Sequence, residues 1–199
     1  MNQPTNNLPQ IRSFIAIELP PEVKKALARL QDRFKAGDGG QVKWVEPVNM
    51  HLTLHFLGNI PTDAVSPITA ALEQAAAAAR HFQLEVGGLG AFPDLHRVQT
   101  IWVGLAGDLE KLDKLYKDIG ANLMPLGHKP ETRPFSPHLT IGRVRDFTRP
   151  EERAVLARMI QGAPFNVKYR VDVTAVDLMK SQLTPRGPIY TKLASVKLK

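Results

Sequence analysis

The stretch Asn49-Met50-His51-Leu52-Thr53-Leu54-His55-Phe56-Leu57-Gly58 alternates apolar and polar side chains from Met50 onward. This is the pattern of a β-strand with one face in a core and the other on a cleft. His51 and Thr53 fall on one face, Leu52 and Leu54 on the other. The frame returns in the second half of the chain as Phe135-Ser136-Pro137-His138-Leu139-Thr140-Ile141-Gly142-Arg143. One His-x-Thr alone is most often an ordinary strand face. Two copies, each with an irregular lead-in and a glycine exit, predict a duplicated unit with a pseudo-twofold axis between the histidines. They also predict one site with two imidazoles, groups whose unperturbed pKa of about 6.5 lets them act as acid or base near neutral pH.

Outward from the first motif, residues 13–18 read as a strand ended by Pro20-Pro21, and 22–35 carry Val23, Ala26, Leu27, Leu30 and Phe34 at helical spacing. Residues 42–45 form a short strand stopped by Pro47, and the motif strand 51–57 closes at Gly58-Asn59. A helix is expected over 63–80, a strand over 82–86, a turn at Gly87-Gly88-Leu89-Gly90, a strand over 98–105 and a helix over 108–124. After the second motif strand come a helix over 150–161, a long strand over 165–179 and a closing strand over 190–197. The pairs 42–45 with 51–57 and 82–86 with 98–105 are joined too tightly for parallel crossovers. The expectation is an α+β fold: a bilobal, duplicated unit of two antiparallel sheets backed by helices, with a cleft between them. No linker divides the chain, so residues 1–199 are expected to form a single bilobal domain, with 1–11 as a flexible tail.

The chain has 199 residues, 43% apolar, enough for a core without covalent staples. It has no cysteine, which excludes disulfides and thiolate chemistry and favours a cytoplasmic setting. The polar start Met1-Asn2-Gln3-Pro4 is no signal peptide, and no run approaches the roughly 18 apolar residues of a membrane helix, so a soluble monomer is expected. The net charge of +7 favours polyanionic partners. Arg133, Arg143, Arg145 and Arg149 surround the second motif, and a basic rim beside two histidines suits a phosphate.

These residues resemble the two-histidine phosphoesterases, and within them the RNA 2′,3′-cyclic phosphodiesterases historically called 2′-5′ RNA ligases. The likeness runs through Phe14-Ile15-Ala16-Ile17-Glu18-Leu19-Pro20, Asn49 to Gly58, Arg133-Pro134-Phe135 with Pro137-His138-Leu139-Thr140, and the late Ser181, Gly187 and Tyr190. The resemblance implies hydrolysis of RNA 2′,3′-cyclic phosphate ends to 2′-phosphomonoesters without metal or cofactor, with ATP-independent 2′-5′ ligation as the reverse reaction. It implies His51 as general acid, His138 as general base, Thr53 and Thr140 as donors to phosphate oxygens, and Phe56 and Arg143 as the groups that sandwich the nucleobase. Strand parity opposes the last pair: an offset of five turns a side chain away from its histidine. The assignment therefore requires a bulge near Leu57-Gly58 and another at Gly142. His55, at an offset of four, is expected at the solvated edge of the cleft.

Two other functions compete. An RNA-binding module without turnover would use the basic cleft but leaves two poised imidazoles unexplained. A metal hydrolase using His51, His55 and His138 would need ligands four apart on a strand, about 13 Å at 3.3 Å per residue, to share one ion.

Overall fold

The computed structural model describes residues 8–37, 40–129, 134–163, 165, 169–185 and 187–199. The first half runs β1 (Gln10–Glu18), α1 (Pro21–Lys35), β2 (Val42–Trp44), β3 (His51–Pro61), α2 (Val65–Ala77) and β4 (Phe82–Phe92). The second runs β5 (Thr100–Gly107), α3 (Leu109–Leu123), β6 (His138–Val144), α4 (Pro150–Gly162), β7 (Tyr169–Val173), β8 (Ala175–Thr184) and β9 (Gly187–Lys197). Two antiparallel sheets result, one ordered β3-β1-β8-β9 and the other β2-β6-β5-β4-β7. Each half places a strand, a helix and a motif strand in one sheet, so that β1 pairs with β3 and β5 with β6. A later strand of each half then crosses over. β4 of the first half joins β5, and β8 of the second half joins β1, which ties the two lobes together.

One hydrophobic core runs through both lobes, from Ile15, Leu52 and Leu178 of the first sheet to Val103, Leu139 and Val171 of the second. The helices are amphipathic and bury the expected stripe: Val23, Leu27, Leu30 and Phe34 on α1, and Leu112, Leu115, Ile119 and Leu123 on α3. Burying one such side chain contributes on the order of 1.5–3 kcal/mol, which outweighs the modest helix propensities involved. No helix among the described residues is long and apolar enough to cross a membrane.

Four expectations change. β2 does not pair with β3. A 3-10 turn at Pro47–Asn49 carries the chain from one sheet to the other, and β2 lies at the edge of the second sheet against β6. The glycines at 87–90 do not turn the chain. β4 passes through them with a register shift between Val86 and Leu89, and the hairpin closes beyond Phe92. The long strand expected over 165–179 is two strands in different sheets, β7 and β8, because the chain leaves the second sheet at Thr174. β1 begins at Gln10, so it takes two residues from the expected tail, whose residues 1–7 lie outside the described residues.

Candidate active site

The two motif strands have the same irregularity. Along β3, Thr53 pairs with Ala16 and His55 with Ile15, so Leu54 is left over as a bulge residue. Along β6, Thr140 pairs with Trp102 and Gly142 with Ile101, so Ile141 is left over in the same way. An extra residue shifts the parity of everything after it. Phe56, the partner of Phe14, and Arg143, the partner of Thr100, therefore return to the face that carries the histidines and threonines. The bulges sit three residues after each histidine rather than near Leu57-Gly58 and at Gly142, although a second shift does occur at Leu57. Phe56 is 65% exposed on its strand, and Arg143 is exposed on the other.

The same shift turns His55 inward. It is 6% exposed, not a cleft-edge group. Its Nε2 lies 2.8 Å from the Tyr116 carbonyl and its ring stacks on Tyr116 at 4.3 Å, with Phe135 stacked on the far side at 4.0 Å. β3 thus presents His51 and His55 to opposite faces, which separates the three histidines a metal centre would have used. A helix supports each bulge from outside its strand. The α1 residue Gln31, 1% exposed, donates from Nε2 to the Ile141 carbonyl at 2.8 Å and to the Val45 carbonyl at 2.7 Å. On the other side α3 offers Gly120, and His55 fills the space above it, 3.2 Å from where a Cβ would lie. Gly142, beside the Ile141 bulge, is covered by Val42 and Trp44 of β2, as Gly120 is covered by His55 of β3.

Each histidine is fixed by the chain just before it. His51 Nδ1 lies 2.7 Å from the Asn49 carbonyl, and His138 Nδ1 lies 2.7 Å from the Ser136 carbonyl. A carbonyl only accepts, so Nδ1 carries the proton in both rings and Nε2 is left for proton transfer. Thr53 and Thr140 stand half-buried two residues on. Phe14 stacks on His51 at 4.7 Å and Tyr190 meets it edge-on at 5.3 Å. Phe92 meets His138 edge-on at 4.8 Å, and Trp102 lies tilted at 6.5 Å. Gly90 is required there, because a Cβ would come 2.2 Å from the Trp102 indole.

Burial lowers the pKa of His51 from its usual value; the Asn49 hydrogen bond and the Glu18 carboxylate oppose this, and the Lys24 ammonium adds to it. Burial raises the Tyr190 phenol, and Arg143 and Arg12 pull it down. Arg143 of one sheet thus acts on the tyrosine that touches His51 of the other, and β3 and β6 themselves are in contact. The two halves of the motif meet at one place. Arg133 lies outside the described residues. Sequence reading assigned no role to Arg12, Phe92, Trp102 or Gln31. The alternation of Arg12, Phe14, Ala16 and Glu18 was a usable signal for the first, but Gln31 looked like one more polar residue on a helix.

The description "LigT like Phosphoesterase" matches this chain twice, over residues 17–102 and 103–190, one match for each half of the duplication. An RNA 2′,3′-cyclic phosphodiesterase of Methanothermobacter thermautotrophicus is 33% identical over 190 residues, covering 95% of this chain and 100% of that protein. One of Thermotoga maritima is 35% identical over 187 residues, covering 92% of this chain and 93% of its own. The crystal structure of TT0787 of Thermus thermophilus superposes with a TM-score of 0.77 at 27% identity, covering 94% of this chain and 98% of that one. With both halves matched and relatives of this similarity aligned over more than nine-tenths of it, the chain belongs to the LigT-like phosphoesterase family.

Proposed function

We propose that this protein is an RNA 2′,3′-cyclic phosphodiesterase that opens the cyclic phosphate to a 2′-phosphomonoester. The single observation that carries the reading is the twin arrangement of His51 and His138, each held at Nδ1 by the carbonyl two residues before it. Cyclic phosphate opening needs an attacking water and a leaving oxygen on opposite sides of phosphorus. One neutral imidazole takes the water's proton and one charged imidazole protonates the leaving 3′-oxygen. His138 is assigned the base and His51 the acid. Thr53 and Thr140 donate to the non-bridging oxygens. Phe56 and Arg143 hold the base by its faces, a contact that tolerates any nucleobase and contributes on the order of 1–3 kcal/mol. Ligation at a 2′-5′ linkage is the same chemistry run backwards, with a 5′-hydroxyl in place of water, and needs no ATP. Neither direction draws on a cofactor in this scheme.

The low proton affinity of His51 in the free protein bears on its role. An imidazole that is neutral before substrate arrives can serve as the acid only if the phosphate's negative charge restores its proton. The alkaline limb of kcat, which reports the complex, is therefore expected at higher pH than that of kcat/KM, which reports the free enzyme.

The test is an RNA ending in a 2′,3′-cyclic phosphate, incubated with excess EDTA, with the product identified by which hydroxyl keeps the phosphate. A 2′-phosphate is expected. His51→Ala and His138→Ala should each lose about 10²–10⁴-fold in kcat while keeping their circular dichroism spectra. A substrate with a better 3′ leaving group should rescue His51→Ala and not His138→Ala. Rescue of the latter alone would exchange the roles, a 3′-phosphate product would reverse the substrate's orientation, and binding without turnover would leave an RNA-binding module.

A further inference from the structure

The two motifs are locally equivalent in strand pattern, bulge position and Nδ1 partner, yet their surroundings differ. β8 pairs with β1 only as far as Lys180 opposite Ser13, whereas its pairing with β9 continues to Thr184 opposite Gly187. Beyond Lys180 the hairpin parts from β1, which continues against β3 to Gln10, and its β9 strand reaches the start of the motif strand. There the Pro188 carbonyl accepts a hydrogen bond from Asn49 Nδ2 at 2.9 Å. Two residues on, Tyr190 lies over His51 and against Phe14, at 4.9 Å from the latter. The turn is closed by Thr184 Oγ1 donating to the Gly187 carbonyl at 2.6 Å. Asn49 therefore acts at both ends, its carbonyl holding His51 and its amide holding the hairpin. Among the described residues, the ring contacts of His138 come from β4 and β5 of its own sheet.

We propose that the β8–β9 hairpin, pinned by Asn49, is the device that makes the two equivalent histidines unequal, closing over His51 so that its proton arrives with the substrate. This rests on the two-histidine reading above and adds a positioning residue to it. The hairpin removes water from one imidazole. A ring shielded in this way gives up its charge unless an anion replaces the lost solvation, and a cyclic phosphate is such an anion. Among the described residues, the charged and titratable groups that act on or touch His51 are Glu18 of β1, Lys24 of α1 and Tyr190 of β9. Lys192 sits 3.2 Å from Glu18 and 2.9 Å from the buried Asp177, so Glu18 is already partly neutralised. The depressed proton affinity of His51, caused first by burial, agrees with the geometry.

The test reads both imidazoles by NMR titration of their ring protons in the full-length protein, with and without inorganic phosphate. In the wild type, His51 should titrate below the ordinary imidazole value of about 6.5 and move up when phosphate is added. In Asn49→Ala the free-protein midpoint of His51 should rise toward that value, while the midpoint of His138 stays where it is. Asn49→Asp keeps the size but opposes the Pro188 carbonyl with an acceptor, and should do the same. Thr184→Val loosens the hairpin from its far end, without touching the residue next to His51, and should shift His51 in the same direction by less. The alkaline limb of kcat/KM should follow His51 upward in each variant. An unchanged His51 midpoint in Asn49→Ala and Thr184→Val would overturn the proposal, as would equal movement of both histidines. Should His138→Ala keep its activity, the two-histidine reading fails while these midpoints still decide what the hairpin does.

Discussion

His51 carries a cost in stability: its ring is packed against both Phe14 and Tyr190, and its folded-state pKa lies below the value it has in an unfolded chain. The sign of the linkage follows. Between the lowered folded value and about 6.5, the unfolded chain binds a proton that the folded one refuses, so stability rises with pH there and is lost as pH falls. Replacing the ring by an uncharged amide removes this dependence. Denaturant unfolding of wild type and His51→Gln as a function of pH should therefore converge as the pH falls from about 6.5, the wild type losing more. A wild type whose stability tracks that of His51→Gln in parallel across this window would mean the imidazole is solvated in the folded state. At the same scale, Thr53→Ala and Thr140→Ala each remove one neutral donor, worth on the order of 1 kcal/mol, and should slow turnover less than either histidine change. Arg143→Ala should act mainly on KM.

At the scale of elements, the decisive features are the bulges at Leu54 and Ile141, because they turn Phe56 and Arg143 back to the motif face and His55 away from it. Gln31 supports the second bulge from α1 with two hydrogen bonds, and removing its amide takes a donor from each of the two carbonyls, although the Ile141 carbonyl keeps the Val45 N–H at 3.0 Å. Gln31→Leu should cost about 1–3 kcal/mol, with Tm falling by about 2–4 °C for each of these. Gly142→Ala should be destabilising as well, since a Cβ would stand 2.7 Å from Val42 Cγ1 and 3.0 Å from the Trp44 ring. If Gln31→Leu melts with the wild type, the bulge is held by its strand pairing alone. These elements also mark where the sequence could be read and where it could not. Alternation identified both motif strands and the amphipathic helices, since burial of one face leaves a periodic trace. A bulge adds a single residue without any required side chain, so Leu54 and Ile141 look like ordinary core positions. The crossing of β4 and β8 between lobes, and the pairing of β2 with β6, depend on long-range register that no local pattern records. His55 was misread for the same reason: with regular parity it belongs to the cleft, and one extra residue puts it in the core.

At the scale of the whole molecule, the +7 net charge and the position of the site between two lobes make the approach of substrate an electrostatic matter. Arg12 of the first sheet and Arg143 of the second both act on Tyr190, so positive charge from the two lobes converges beside His51. Lys43, the cross-strand neighbour of Arg143, is exposed and extends this charge along the second sheet. An RNA chain brings many phosphates into that field and releases counterions as it binds, whereas a cyclic mononucleotide brings one. Screening shortens the reach of these charges to about 8 Å at physiological ionic strength and about 3 Å at 1 M. Raising the salt concentration should therefore lower kcat/KM for an oligonucleotide steeply and for a cyclic mononucleotide only slightly, with kcat nearly constant for both. Substituting Lys43→Ala should flatten the oligonucleotide's salt dependence and leave the mononucleotide untouched, because that side chain lies on the edge strand β2, beyond Arg143, which is proposed to hold the terminal base. Equal slopes for the two substrates, measured at the same pH, would mean that only the terminal nucleotide meets the protein and that the net charge plays no part in recognising the chain behind it.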